Sequence, residues 1–217
     1  MGVKNITQKQ NNKNKITTDI INAAKSYKRN LVGKTFLYVF DNQYIEVMFK
    51  AKDFRHLTGV DTNLTAQDFY KKAHSGILQP NQIYFSARHP YPLAVKKLKH
   101  LQNISSLTIN ECFMLKDITT QSEVYKFGTT DLHFSICFNQ ETDDKGIKKG
   151  NCYIAKSLRD EDCFTKSDKV FIITHIFSKP NDQKLYENEI YRENGYAISD
   201  LPSNIISMLS NDLLNKV

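Results

Sequence analysis

No stretch of this 217-residue chain carries the roughly 18 consecutive apolar residues that a membrane span requires, so no membrane association is expected. Cysteine is scarce and scattered. Cys112, Cys137, Cys152 and Cys163 form neither a CxxC pair nor a Cys/His run at zinc spacing, so reduced, buried thiols are expected and a metal site is not. The first fifteen residues contain no acid and no apolar leader segment, only Lys4, Lys9, Lys13 and Lys15 among Asn and Gln. With too few apolar groups to offset ordering entropy, residues 1–15 are predicted to be a flexible basic arm, and the protein is expected to be cytoplasmic. Acids are absent again from Asn81 to Asn110, and no internal repeat is visible.

What is present is positive charge. Lys and Arg outnumber Asp and Glu by 30 to 23. Such an excess draws polyanions by long-range attraction and counterion release, although it also serves solubility alone.

The apolar pattern begins with Ile16, Ile20, Ala24, Tyr27 and Leu31, the stripe of an amphipathic helix ending near Gly33. Two β-rich runs, Phe36–Phe40 and Tyr44–Phe49, flank the turn formers Asp41, Asn42 and Gln43 and read as a hairpin. Thr65 is placed to cap a helix, with Asp68 three residues on. Gln82–Ser86 reads as a short strand. Pro90 and Pro92 then open a helix with a predicted buried stripe of Ala94, Val95, Leu98 and Leu101 and an outer side of Lys96, Lys97, Lys99 and His100.

From there the period changes to that of strands, expected at Val124–Thr130, Leu132–Asn139, Cys152–Arg159, Val170–Lys179 and Tyr186–Arg192. Phe134, Ile136 and Phe138 alternate as one apolar face, and Val170–Lys179 is apolar on both faces, as a central strand would be. A last helix is predicted over Pro202–Asn215. Segregated rather than alternating elements imply an α+β fold: N-terminal helices and a hairpin (16–110), then an antiparallel sheet of four to five strands with a C-terminal helix (111–217).

The order of Tyr44–Phe49, Phe54–Val60, Phe85–Pro90, Lys96–Lys99, Tyr153–Arg159 and Phe177–Lys179 resembles the type-four family of phage nuclease-like proteins grouped with barnase, EndoU, colicin nucleases and RelE. The resemblance implies N-terminal helices packed on a four-stranded antiparallel sheet. It also implies an endoribonuclease-like toxin or effector of phages or mobile elements.

Metal-independent RNA cleavage needs a base for the 2′-hydroxyl proton, an acid for the leaving oxygen, and cations for the charge that develops on phosphate. No cofactor is expected. The candidate catalytic residues are His56, beside a Gly-terminated turn; Ser157 and Arg159, at a strand end; and His175. Each has a structural alternative: a capping histidine, an ion pair between Arg159 and Asp160–Asp162, a core histidine. Arg88, His89, Lys96, Lys97, Lys99, Lys156 and Lys179 are candidate nucleic-acid contacts, and Tyr84, Tyr91, Tyr153 and Tyr191 could stack on bases or serve as packing groups.

The expected partners are RNA, or a host nucleoprotein complex if the chain is instead a non-catalytic inhibitor of a defence system, with an immunity or target protein in addition. An effector acting on a protein or nucleotide is a third reading.

Overall fold

The computed structural model describes residues 2–121, 123–143 and 145–215. The chain forms two compact units, one built from the segment up to Val32 together with Lys50–Ser105, the other from Gly33–Phe49 and the chain from Ser106 onward. The hairpin expected with the N-terminal region is therefore counted with the sheet.

The first unit is helical. Helix α1 (Gly2–Asn30) buries Ile16, Ile20, Ala24 and Tyr27 of the predicted stripe, with Ala23 beside them, and Leu31 is buried just past its end. The helix also runs back through the residues expected to be a flexible arm. Amide pairs one turn apart, Gln8 to Asn12 and Gln10 to Asn14, supply helical support that hydrophobicity does not.

The short helix α2 (Phe54–Thr58) sinks Phe54 and Leu57. Phe54 packs among Tyr27, Phe69 and Tyr70, which fixes a helix too brief to persist alone. Strand β3 (Asp61–Thr62) follows and later pairs with β4 (Ile83–Tyr84) in an antiparallel two-stranded ribbon. Between them, α3 (Ala66–His74) starts as its sequence indicates, with the Asp68 N–H donating to Thr65 Oγ1 at 3.1 Å. Helix α4 (Tyr91–Leu101) buries Ala94, Leu98 and Leu101 as expected. Val95 and His100 exchange the sides assigned to them: Val95 is 38% exposed and His100 is buried, because the helix presents positions 94, 98 and 101 with 100 flanking them.

The second unit is one nine-stranded sheet among the described residues, not the four to five strands expected. Its strands are β1 (Lys34–Phe40), β2 (Gln43–Met48), β5 (Phe113–Thr119), β6 (Val124–Thr130), β7 (Ser135–Thr142), β8 (Lys148–Arg159), β9 (Ser167–Ile172), β10 (His175–Pro180) and β11 (Asn188–Arg192). They lie in the order β11-β10-β1-β2-β8-β7-β6-β5-β9. All neighbours are antiparallel except β2 and β8, so the sheet is mixed. The β1–β2 turn places Asp41 and Asn42 at φ 47° and 57°, the left-handed pair of a two-residue hairpin loop.

The apolar run Val170–Lys179 is not one central strand. It breaks at Ile173–Thr174 into β9, at one end of the sheet, and β10, next to the other end. A two-residue link between such distant positions requires the sheet to curl. Phe40 bridges the curl, its ring 5.8 Å from Phe127 and 5.4 Å from Phe171. Nor does β7 have only one apolar face. Cys137 is buried with Leu115, Ile118, Tyr125 and Cys163, and Ile136 and Phe138, its neighbours on either side along the strand, are buried as well.

Gly128 in β6 is required by packing: a Cβ there would lie 2.5 Å from Ile118 Cδ1 and 2.8 Å from the Ile136 carbonyl oxygen. The predicted final helix is two pieces, α5 (Ser203–Ile206) and α6 (Asn211–Leu214), because the intervening backbone bonds to Tyr186 instead. Ile205 of α5, Leu213 of α6 and Leu209 from the link between them cover Leu37, Val39 and Phe177 of the sheet.

Candidate active site

In the first unit, α2 buries Phe54 and Leu57 and leaves His56 exposed and Arg55 half-exposed. The helix ends at Gly59, which takes φ 72° and turns the chain into β3. A Cβ at Gly59 would stand 3.0 Å from the Lys97 side chain and 3.4 Å from Ala94 Cα, so glycine is needed both for the turn and for the close approach of α4.

Pairing of Asp61 with Tyr84 then brings the Asp61 carboxylate beside the loop before α4. There Ser86 Oγ donates to Asp61 Oδ2 at 2.6 Å, His89 Nδ1 lies 2.7 Å from Asp61 Oδ1, and the His89 N–H donates to Ser86 Oγ at 3.1 Å. The Ser86 N–H returns to the His89 carbonyl oxygen, closing the loop. A carboxylate on Nδ1 holds the proton there and leaves Nε2 as the ring's other working position.

The result is a cavity of about 270 Å³ lined by Arg55, His56, Gly59–Thr62, Arg88 and His89. Burial acts to raise the Asp61 carboxyl, but the hydrogen bonds from Ser86 and His89 and the charges of His89 and Arg55 outweigh it and hold the carboxyl below its ordinary value. Asp61 therefore stays ionised near neutrality. Helix α4 begins directly after His89, yet Pro92 has no N–H and the Leu93 N–H already donates to the Pro90 carbonyl. The helix end offers an anion its dipole more than its donors. Arg55 and Arg88 are the charged donors at the cavity wall. Lys96 and Lys99 are exposed on α4, and the stem of Lys97 crosses Gly59.

The structure thus gathers His56, Arg88 and His89, which the sequence singled out, around Asp61 and Arg55, which it did not. Asp61 lies 28 positions before His89, and only the β3–β4 ribbon relates them.

Of the remaining candidates, Lys156, Ser157, Arg159, His175 and Lys179 lie in the second unit. Ser157 and Arg159 sit at the end of β8, where Arg159 Nη2 bonds Thr120 Oγ1 at 3.2 Å and Tyr125 Oη at 3.4 Å and the guanidinium lies over the Tyr125 ring. Lys156 is half-buried on the same strand. Lys179 donates to the Lys184 carbonyl, lies 3.8 Å from Glu46 and covers the Tyr186 ring at 4.5 Å. His175 is wholly buried and stacked on Phe177 at 5.6 Å. Of the tyrosines, Tyr84 is exposed, Tyr91 packs edge-on to Phe85, Tyr153 packs against Phe127, and Tyr191 bonds Glu193.

Among the described residues no group of three or more His, Cys, Asp or Glu is placed to hold a metal ion, and no helix is long and apolar enough to cross a membrane. No curated protein and no solved structure matches the chain. A family model does match, over residues 19–195, a span that includes the histidine cavity and every strand described above together with the C-terminal part of α1, and it places the chain in the phage-Barnase-EndoU-ColicinE5/D-RelE like nuclease4 family.

Proposed function

We propose that the protein is a metal-independent endoribonuclease whose chemistry takes place in the cavity of His56, Asp61, Arg88 and His89. The observation that carries this reading is the pairing of His89 with Asp61 at 2.7 Å in a cavity that also holds a second histidine and two arginines.

In this scheme His89 Nε2, with Nδ1–H fixed on Asp61, takes the proton of the ribose 2′-hydroxyl. The 2′-oxygen attacks the adjacent phosphorus, and the bond to the 5′-oxygen breaks. Protonated His56 supplies the proton that this leaving oxygen needs. Arg55 and Arg88 stabilise the charge that builds on the non-bridging phosphate oxygens. The products are a 2′,3′-cyclic phosphate and a free 5′-hydroxyl, and atoms and protons balance without a metal. The exposed Lys96 and Lys99 extend the cationic surface along α4, as phosphates flanking the scissile one would require. An RNA-cleaving toxin or effector of a phage or mobile element, restrained by a separate partner, is the role this chemistry suits.

The test is incubation of the full chain with total RNA in EDTA. Products ending in cyclic phosphate that vanish in His89→Ala and His56→Ala support the proposal. Tight, salt-sensitive binding that leaves RNA intact contradicts it and favours a non-catalytic inhibitor of a host nucleoprotein complex.

A further inference from the structure

The curl of the sheet in the second unit leaves a cavity of about 620 Å³ between the β1–β2 turn, β9 and the segment after β11. Its charged lining groups are two carboxylates, Asp41 and Asp200, and neither Lys nor Arg lines it. In a chain of net charge +7 this is a locally acidic hollow, unsuited to phosphate.

His175 forms part of its wall. The ring is completely buried, and Nε2 has no hydrogen-bond partner among the described residues. The Thr174 hydroxyl donates to the Val39 carbonyl at 3.3 Å, so its oxygen accepts from His175 Nδ1 at 3.1 Å. Nδ1 therefore carries the hydrogen, and Nε2 is an acceptor lacking a donor.

Two further features sit at the same place. Phe171 and the half-exposed Tyr196 present ring surface to the cavity. Strand β9, among the described residues, pairs on one side only, with β5, and exposes Val170 (41%) and Ile172 (52%) at the cavity rim. An unpaired strand edge is a template for another extended chain.

We propose that this cavity receives the guanidinium of an arginine carried on an extended segment of a partner protein, which pairs with the edge of β9. A guanidinium fits this lining: it is planar for Phe171 and Tyr196 and cationic for Asp41 and Asp200, while the buried His175 ring behind them reports its arrival. Lysine lacks the planarity, and a nucleotide carries the wrong charge.

The probe is an acetylated, amidated peptide of sequence Thr-Val-Arg-Val-Thr, titrated into the isotope-labelled full chain beside the same peptide with citrulline, which keeps the shape and removes the charge. The arginine peptide should shift the His175 ring resonances and the amides of residues 168–172 saturably. The citrulline peptide should bind at least about tenfold more weakly. Asp200→Asn and Asp41→Asn should each weaken the arginine peptide by about tenfold, and Asn tolerates the left-handed backbone at position 41, so folding is retained. Equal binding of the two peptides, no saturable shift with either, or saturation by guanosine monophosphate in their place each overturn the proposal.

Discussion

The two units treat their cations differently. In the sheet unit several positive groups are fastened to the protein: Arg159 to Thr120 and Tyr125, Lys179 to Glu46 and Tyr186, Arg192 to Glu189 at 2.7 Å, Lys126 to Asp117 at 2.6 Å. In the helical unit Arg88, Lys96 and Lys99 are exposed on and before α4, and His89 is held by the Asp61 carboxylate. A cation whose donors are already directed to protein acceptors holds a strand end in place. One at the wall of a cavity, beside an oriented imidazole, has geometry suited to a substrate phosphate. On the function proposed above, basic charge has two uses in one chain, and net charge alone does not distinguish them.

Mutation of the two histidines should have the largest effect. His89→Ala and His56→Ala should each lower RNA cleavage by about 10²–10⁴-fold, the usual contribution of a positioned acid or base, with circular dichroism unchanged. In the sheet unit the expected damage is structural. Gly128→Ala forces a Cβ against Ile118 and the Ile136 carbonyl and should cost about 1–3 kcal/mol, read by urea unfolding.

A smaller effect is expected at Gly59, where alanine at φ 72° and against Lys97 should cost about 1–2 kcal/mol and, by moving α2 relative to β3, should also slow cleavage. Thr65→Ala removes the cap of α3 and should cost about 1 kcal/mol in the same measurement without touching the chemistry.

The smallest is a pH effect. Burial, followed by the Arg192 charge, outweighs Glu189 and Asp200 and depresses the pKa of His175. The unfolded chain therefore takes up the proton first. Stability from this residue is complete above the ordinary histidine value near 6.5 and is lost as the pH falls below it. His175→Gln should flatten that part of the stability profile.

Local chemistry was legible in the sequence wherever its signal was local. The α1 stripe, the Asp41–Asn42 turn and the Thr65 cap each involve residues within a few positions of one another, and all are present. His56 and the Arg88–His89 pair were also visible, through their loop-and-turn surroundings. Asp61 was not, because its role follows from a two-residue ribbon between distant segments.

The sheet was underestimated for the same reason. The parallel pairing of β2 with β8 joins residues about a hundred positions apart, and nothing in either segment announces it. Strand β5 was missed because Lys116 and Asp117 interrupt its apolar pattern, and Asp117 takes φ 52° in the middle of the strand. The Val170–Lys179 run read as one strand because its break, Ile173–Thr174, is as β-prone as its flanks.

Our proposal places catalysis in the histidine cavity of the helical unit and not on the sheet. Cleavage rates of His89→Ala and Arg159→Ala, measured side by side on one RNA in EDTA with folding of both confirmed, test it directly. The account predicts a loss of about 10²-fold or more for His89→Ala and less than about tenfold for Arg159→Ala. The reverse ranking, or equal losses, would contradict it.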